Sequence, residues 1–229
     1  TDYFFVANEK MKNYLITKKI NENKVFTTGI PISSKFLQKF DKAKILKDFD
    51  LKENTKTILF FGGGPFGLGK SKTIEVFECF VKNFNNIQMI AISGKNEKMK
   101  NEFEKIVLDN QKQNNIKIFE YTDKVPELMS ISDLVVTKPG GLTTSESLAS
   151  NLPMIIINPI PGQEEDNAKF LEEKGIAIWI KKEDQPYEII NKVLSNPETL
   201  EKMKEATKTL AKKYSTRDIC NILLKEEYQ

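Results

Sequence analysis

The sequence predicts an α/β fold in which a parallel β-sheet is covered by helices on both faces. From residue 57 onward, short apolar segments of strand length alternate with longer segments of helical character. Apolar strands that alternate with helices are typical of a parallel sheet whose two faces are both buried. The predicted strands are 58–61, 88–92, 116–119, 134–136, 154–157 and 177–179, and the helices between them are 72–84, 97–111, 125–129, 142–149 and 164–174.

The regions before and after this alternation are organised differently. Gly29 and Pro31 interrupt the pattern near the start of the chain, as these residue types do. Pro197 suits the start of a late helix, because its fixed backbone fits the first helical position. The predicted elements here are strands at 3–7 and 24–28, helices at 8–18 and 35–49, a lysine-rich loop at 48–56, and helices at 187–194 and 197–224.

Composition limits the classes of function. The chain is 39% hydrophobic and 29% charged, as expected of an ordinary globular protein, and its formal net charge is only +3. Its basic residues are lysines except for Arg217. Arginine is the residue that best recognises bases and phosphates through paired hydrogen bonds, so a nucleic-acid partner is not expected. Histidine is absent from the sequence, which removes the usual neutral-pH base and the commonest metal ligand.

Cysteine use and hydropathy indicate the compartment. Cys79 and Cys220 are far apart in the sequence, which argues against a disulfide framework or a thiolate metal site and favours a reducing, cytosolic setting. We expect neither a membrane span nor a signal peptide, because no apolar run is long enough. The sequence opens directly on a strand, which needs neighbours, and so we expect the chain to be part of a longer protein.

The glycine-rich segment that follows the first sheet strand allows two interpretations. Residues 64–71, GPFGLGKS, match the pattern of a phosphate-binding loop of nucleoside triphosphatases. Pro65 lacks an N–H group, however, and Asp133 opens its strand, whereas a magnesium-binding aspartate should close one. We therefore favour a loop in which Gly62, Gly63 and Gly64 allow something else to approach the first strand, and keep the triphosphatase as an alternative.

A second glycine loop follows the fourth sheet strand. Lys138, Pro139, Gly140 and Gly141 lead into a helix that carries Thr143 and Glu146. Glycines let backbone N–H groups approach an anion, and a helix start adds partial positive charge. A carboxylate in this helix could accept hydrogen bonds from vicinal hydroxyls, as acidic residues do with ribose in dinucleotide-binding folds.

The same residues also fit a purely structural interpretation. Thr143 and Glu146 have the spacing of a capping box, in which the threonine caps a helix and the glutamate binds back to the cap. The sequence leaves both interpretations open, although a cap does not require the two glycines that precede it.

A third loop, NPIPGQEE at 158–165, follows the next strand. Gly162, Gln163 and Glu164 could bind sugar hydroxyls through paired donors and acceptors, or could simply place acidic residues at a helix start. Ligands of parallel α/β sheets bind beyond the carboxyl ends of the strands. Two such loops in succession therefore predict a site for a phosphorylated, hydroxyl-rich ligand such as a nucleotide sugar.

Two further strand ends carry candidate residues. Gly94 follows the second sheet strand and permits close approach, and Tyr121 follows the third, where it could lie against a base or belong to the core. Lys138 could meet a phosphate or remain a solvated charge.

Several of these motifs together resemble the C-terminal half of family 28 glycosyltransferases, most closely the diacylglycerol glycosyltransferases: monogalactosyldiacylglycerol synthases and processive diacylglycerol glucosyltransferases. The similar stretches are DYFFVANEKMK, TGIPIS, FFGGGPFGLG, SGKN, TKPGGLTTSESLA and NPIPGQEEDNA, and the last two are the most specific. The resemblance implies a Rossmann-like doubly wound parallel sheet, the C-terminal domain of a two-domain GT-B enzyme. It further implies that residues 1–34 are the end of the N-terminal acceptor domain with the interdomain linker, and that residues 35–229 are the UDP-sugar-binding domain with its terminal helices.

The resemblance also implies roles for the candidate residues. Glu146 would hold the ribose hydroxyls, and Gly140, Gly141 and Thr143 would line the diphosphate. Gln163 and Glu164 would contact the hexose, and the loop that contains Tyr121 would lie near uracil. The loop of Gly62, Gly63 and Gly64 would face the cleft.

The implied reaction is inverting transfer of glucose or galactose from UDP to diacylglycerol, in the cytoplasm at the inner face of the membrane. The base would lie in the N-terminal half, which this chain lacks, so that the chain alone would bind UDP-hexose without turning it over. Neither a cofactor nor a metal ion is expected. A UDP-sugar epimerase of related fold is a further alternative.

Overall fold

The fold is built around a six-stranded parallel sheet. The structure, a computed structural model, describes residues 2–63 and 70–226. The strand order is β5-β4-β3-β6-β7-β8, so the chain first builds outward from β3 in one direction and then outward from β6 in the other. This order confirms the predicted Rossmann-like doubly wound sheet. The strands are β3 (Lys56–Phe61), β4 (Ile87–Ile92), β5 (Ile116–Phe119), β6 (Leu134–Thr137), β7 (Met154–Ile157) and β8 (Ala177–Ile180).

Helices cover both faces of the sheet, as the apolar strands predict. Successive residues of β3 serve opposite faces: Ile58 and Phe60 belong to one buried cluster, and Leu59 belongs to the other. The first cluster is completed by α3 (Lys70–Asn83), α4 (Glu97–Asp109) and α8 (Pro186–Leu194), and the second by α5 (Val125–Ile131), α6 (Gly141–Ala149) and α7 (Gln163–Glu173).

The N-terminal segment forms a small unit of its own. Its two short strands, β1 (Phe4–Phe5) and β2 (Val25–Phe26), pair in parallel and are joined by α1 (Glu9–Thr17). Elements lie where the sequence predicts them, although both strands are shorter than expected. The division of the chain into two domains at residue 34 stays a prediction.

Two of the predicted helices are interrupted. The expected helix at 35–49 is wrong: the structure has a 3₁₀ turn at Ser34–Leu37 and a separate helix, α2 (Lys42–Asp48). Asp41 starts α2 independently, because its Oδ1 accepts a hydrogen bond from the Lys44 N–H at 3.1 Å.

The C-terminal helix is also divided. Instead of one helix over 197–224 there are two, α9 (Pro197–Leu210) and α10 (Ser215–Glu226). Between them Lys212 packs so closely on Gly29 that a Cβ atom at Gly29 would lie 2.5 Å from the Lys212 Cβ. The helix is therefore interrupted at the point where the chain contacts the N-terminal segment. In the part of the chain that the structure describes, no helix combines the length and apolar character needed to cross a membrane.

Candidate functional site

The predicted loops meet at one edge of the sheet. Strands β3 and β6 are neighbours, and it is between them that the strand order reverses. The glycines at 62 and 63 follow β3, and the loop at 138–140 follows β6. The loop at 158–162 follows β7, the next strand. Because ligands of doubly wound sheets bind beyond the carboxyl ends of the strands at such a reversal, this edge is the candidate site.

Gly62 and Gly63 are required by the protein's own packing. A Cβ atom at Gly62 would lie 2.4 Å from the ring of Phe103, and one at Gly63 would lie 1.9 Å from the carbonyl oxygen of Ser93. Gly94, the next residue, adopts a left-handed backbone with φ +64°. Gly62 and Gly63 therefore lie directly against the β4 side of the sheet. This close packing is a structural reason for glycine at both positions, in addition to the predicted approach of a ligand. Gly64 and the rest of 64–69 lie outside the described residues.

The start of α6 contradicts the interpretation of Thr143 and Glu146 as a capping box. The helix begins at Gly141 with Gly140 as its N-cap, and the Thr144 N–H already donates to the Gly140 carbonyl oxygen at 2.9 Å. Thr143 is thus the third residue of the helix, and Glu146 is the sixth. The capping interpretation of Thr143 and Glu146 is wrong, because a cap must lie outside the helix that it terminates.

Replacing Thr143 with alanine should therefore change the free energy of unfolding by less than about 0.5 kcal/mol. The matched control is Asn96→Ala at the start of α4, where the Asn96 Oδ1 accepts from the Met99 N–H at 3.1 Å. Loss of that genuine cap should cost about 1 kcal/mol in chemical denaturation. A cost at Thr143 as large as that at Asn96 would restore the capping interpretation.

The Glu146 carboxylate is partly removed from solvent and has no hydrogen-bond or ion-pair partner among the described residues. Its side chain is half-buried, and the loss of solvation raises its pKa above the ordinary glutamate value. No residue within 2–63 or 70–226 donates a hydrogen bond to this carboxylate or forms an ion pair with it. A half-buried acid without a partner is costly for the fold alone, which is consistent with a role in binding.

The backbone at the start of α6 is suited to an anion. The first N–H groups of any helix have no acceptor within it, and here they belong to Gly141, Leu142 and Thr143. Gly140 caps the helix without a side chain that could occupy these donors. Lys138 is half-buried just before them. Partial positive charge and free donors therefore lie at the end of the helix that carries Glu146.

The loop before α7 is tied to the loop before α6. Glu164 accepts a hydrogen bond from the Ile160 N–H at 2.8 Å through Oε2, and its Oε1 would lie 3.7 Å from a Cβ atom at Gly140. Asn167 donates through Nδ2 to the Pro139 carbonyl oxygen at 3.0 Å. The structure thus brings two of the predicted loops into contact.

Glycine is needed at the N-cap of α7. Gly162 has φ +95° and ψ −120°, a conformation that is essentially closed to other residues, and nothing in the structure lies near a Cβ placed there. Gly162 and Gln163 are both exposed at the mouth of this loop, and so remain available to a ligand.

Two asparagines in this region escaped the sequence analysis. Asn167 supports the loop of Pro139, and Asn158 donates through Nδ2 to the Thr73 Oγ1 at 2.8 Å. Both lie within the stretch NPIPGQEEDNA, so that motif was the available signal. Their partners are remote in the sequence, and no local pattern could identify them.

Tyr121 lies apart from the core. Its side chain is 74% exposed after β5, so the interpretation of Tyr121 as a core aromatic is wrong. An exposed aromatic ring at a strand end remains compatible with stacking on a base.

Asp133 lies at the opposite edge of the sheet from the candidate site. Its Oδ2 accepts from the Thr57 N–H at 2.9 Å, and its Oδ1 pairs with the Lys204 ammonium at 2.9 Å. These bonds join the starts of β3 and β6 to α9. Asp133 therefore cannot be the magnesium-binding residue of a nucleoside triphosphatase, which weakens that alternative.

A cavity of about 560 Å³ lies on the other side of α6, between the N-terminal segment, α7 and the turn after α9. Of the predicted site residues that the structure describes, only Gly141 lines it, and its apolar walls include Ile30, Leu148 and Phe170. The cavity is thus distinct from the strand-end site.

Comparison with known proteins supplies independent information. Residues 57–219 match the sequence model of the glycosyltransferase family 28 C-terminal domain. The chain is 32% identical over 225 residues to the processive diacylglycerol β-glucosyltransferase of Bacillus subtilis (strain 168), an alignment that covers 98% of this chain and 58% of the relative. The chain thus spans little more than half the length of this relative.

Solved structures share the fold. The UDP-GlcNAc 2-epimerase of Neisseria meningitidis bound to UDP-GlcNAc matches with a TM-score of 0.76 at 20% identity, over 98% of this chain and 61% of that one. HepE of Anabaena in complex with UDP-glucose matches with a TM-score of 0.64 at 12% identity, over 98% of this chain and 64% of that one. At such low identities the likeness shows the fold alone.

Proposed function

The chain belongs to glycosyltransferase family 28, and from that membership we propose that it is the donor-binding part of an enzyme that transfers glucose or galactose from UDP to diacylglycerol. The curated relative at 32% identity is a diacylglycerol glucosyltransferase, which supports this acceptor class. The similarity to an epimerase concerns the fold, and no observation at the site favours epimerisation.

The observation that carries the proposal is Glu146, a half-buried carboxylate without a partner among residues 2–63 and 70–226, on a helix whose first N–H groups have no acceptor within the helix. In this proposal Glu146 accepts hydrogen bonds from the two ribose hydroxyls. The N–H groups of Gly141 and Thr143, with Gly140 allowing close approach, bind the diphosphate, and Lys138 adds positive charge.

The remaining assignments follow from the positions of the loops. The hexose lies against Gly162, Gln163 and Glu164, and uracil lies near the exposed ring of Tyr121. The β3 and β4 loops, with Gly62, Gly63 and Gly94, border the cleft toward the acceptor.

The chemistry assigned to this chain is stabilisation of the leaving group. In inverting transfer, a base outside this chain takes the proton of the acceptor hydroxyl, whose oxygen attacks the anomeric carbon as UDP departs. Negative charge then develops on the diphosphate, where the free N–H groups of α6 stabilise it. No metal or cofactor forms part of the proposal. Residues 1–34 are proposed to belong to the acceptor domain, and the intact enzyme is proposed to act at the cytoplasmic face of the membrane.

Calorimetric titration tests this proposal. We expect UDP, UDP-glucose or UDP-galactose to bind with and without Mg²⁺, and ATP and GTP not to bind. Binding should not require a metal, because Glu146 and the α6 donors contact ribose and diphosphate directly. The expected preference over ATP and GTP follows from the proposed UDP-sugar donor, in which uracil takes the place of a purine. Binding of ATP or GTP that depends on Mg²⁺ would instead establish the triphosphatase.

A further inference from the structure

The loop at 158–162 has constrained backbone at both ends. Asn158 follows β7 with φ +46°, and Gly162 precedes α7 with φ +95°. Asparagine is among the few residues with a side chain that tolerate the left-handed region. The path of this loop, which ends at Gly162 and leads into Gln163 and Glu164 at the start of α7, is therefore set at Asn158 as well as at Gly162.

The Asn158 side chain links this loop to a distant element. Its Nδ2 donates to the Oγ1 of Thr73 at 2.8 Å, and Thr73 is only 3% exposed in the first turn of α3. The two residues are 85 positions apart in the sequence. The bond extends from the end of β7 past β6 to the helix that follows the glycine-rich loop of β3. A buried threonine of α3 thus anchors a loop that is exposed at residues 160–162.

Two other hydrogen bonds involve residues farther along the chain, at the start of α7 and within it. Glu164 binds the Ile160 N–H, and Asn167 binds the Pro139 carbonyl oxygen. The first bond joins the loop to the start of α7, and the second joins α7 to the proposed diphosphate loop. The bond from Asn158 to Thr73 leads instead to α3, and so restrains the loop from a different element.

We propose that Asn158 is a positioning residue that, through Thr73, holds the loop at 158–162, and with it the start of α7, in the conformation that binds the hexose of the donor. This inference rests on the proposed function and names which part of the ligand the bond serves. Asn158 acts on Gln163 and Glu164 through the loop backbone. Glu146 and the start of α6, proposed to bind ribose and diphosphate, belong to another element.

The test measures the affinities of the chain for UDP and for UDP-glucose or UDP-galactose by calorimetry. Asn158→Gly keeps the left-handed backbone without strain and removes only the amide. It should weaken binding of the UDP-hexose about fivefold, the equivalent of one hydrogen bond, with UDP affinity unchanged within about twofold.

Variants at the other end of the bond supply the controls. Thr73→Val removes the acceptor oxygen while keeping the shape, and should reproduce the selective loss. Thr73→Ser keeps the hydroxyl and should retain hexose binding. The double variant Asn158→Gly with Thr73→Val should lose less affinity than the sum of the two single losses, because both substitutions remove the same bond.

The outcomes distinguish failure of the positioning role from failure of the proposed UDP-sugar-binding function. If the unmodified chain binds neither UDP nor UDP-hexose, both fail. If the chain binds UDP-hexose, but Asn158→Gly lowers the affinity for UDP equally or lowers neither affinity, the positioning role alone is overturned. The same holds if UDP-hexose binds no better than UDP, since the hexose then makes no contribution that the loop could secure.

Discussion

UDP should bind roughly ten- to a hundredfold more weakly when Glu146 is replaced with glutamine, while the fold remains intact. The expected loss follows from the strength of hydrogen bonds to a charged acceptor, about 1.5–3 kcal/mol for each such bond. Glutamine keeps the shape but presents a neutral oxygen and an additional donor where two ribose hydroxyls must donate. Calorimetric titration with UDP measures the effect.

The same substitution should not destabilise the protein. Burial raises the pKa of Glu146, so the folded state disfavours the ionised form. The folded pKa exceeds the unfolded one, and ionisation of Glu146 therefore lowers the free energy of unfolding as the pH rises from the ordinary glutamate value through the raised one. At neutral pH the glutamine variant should be as stable as the parent or slightly more stable.

The affinity for UDP should change with pH in the opposite direction to the contribution of Glu146 to stability. Ribose hydroxyls donate to the ionised carboxylate, so the ligand lowers the pKa of Glu146. UDP affinity should consequently rise as the pH increases through the pKa of the free protein and then level off. The glutamine variant should lack this component, and the difference between the two titrations cancels any ionisation of UDP itself.

Glu201→Gln is the matched control for these measurements, because Glu201 is an exposed glutamate on α9. It should leave UDP affinity unchanged. If the parent and Glu146→Gln bind UDP with equal affinity across the whole pH range, Glu146 does not contact UDP.

Gly63→Ala should lower the free energy of unfolding by about 3 kcal/mol or more, near the upper end of what overpacking costs. The new Cβ would lie 1.9 Å from the Ser93 carbonyl oxygen and 2.9 Å from the Gly94 nitrogen. Both atoms are backbone, so no rotation of a side chain relieves the contact, and the β3 and β4 loops must separate. Chemical denaturation monitored by circular dichroism measures the loss.

Gly140→Ala is the steric control, because a Cβ there would meet its nearest atom at 3.7 Å, an ordinary contact. Its cost should stay within about 1 kcal/mol, the price of a poorer N-cap. Should Gly63→Ala cost no more than Gly140→Ala, the two loops do not approach each other as closely as described here.

The sequence alone determined the type and order of the elements around the site. The apolar runs predicted each strand of the large sheet, and the glycine and proline residues correctly marked where strands give way to loops. These features depend on neighbours along the chain, so a local pattern contains them. The break between α9 and α10 could not be predicted in this way, because the contact of Lys212 with Gly29 joins residues that are far apart in the sequence.

Only the tertiary structure decided how these loops combine. It showed that β3 lies beside β6, that Gly63 must be glycine because of Ser93, and that Asn158 reaches Thr73. It also placed Thr143 inside α6 and left Glu146 half-buried. Each of these facts depends on the order of strands in the sheet or on the packing of residues far apart in sequence. Periodicity specifies that a segment is a strand or a helix, whereas its neighbours in space are chosen by the burial of the whole chain.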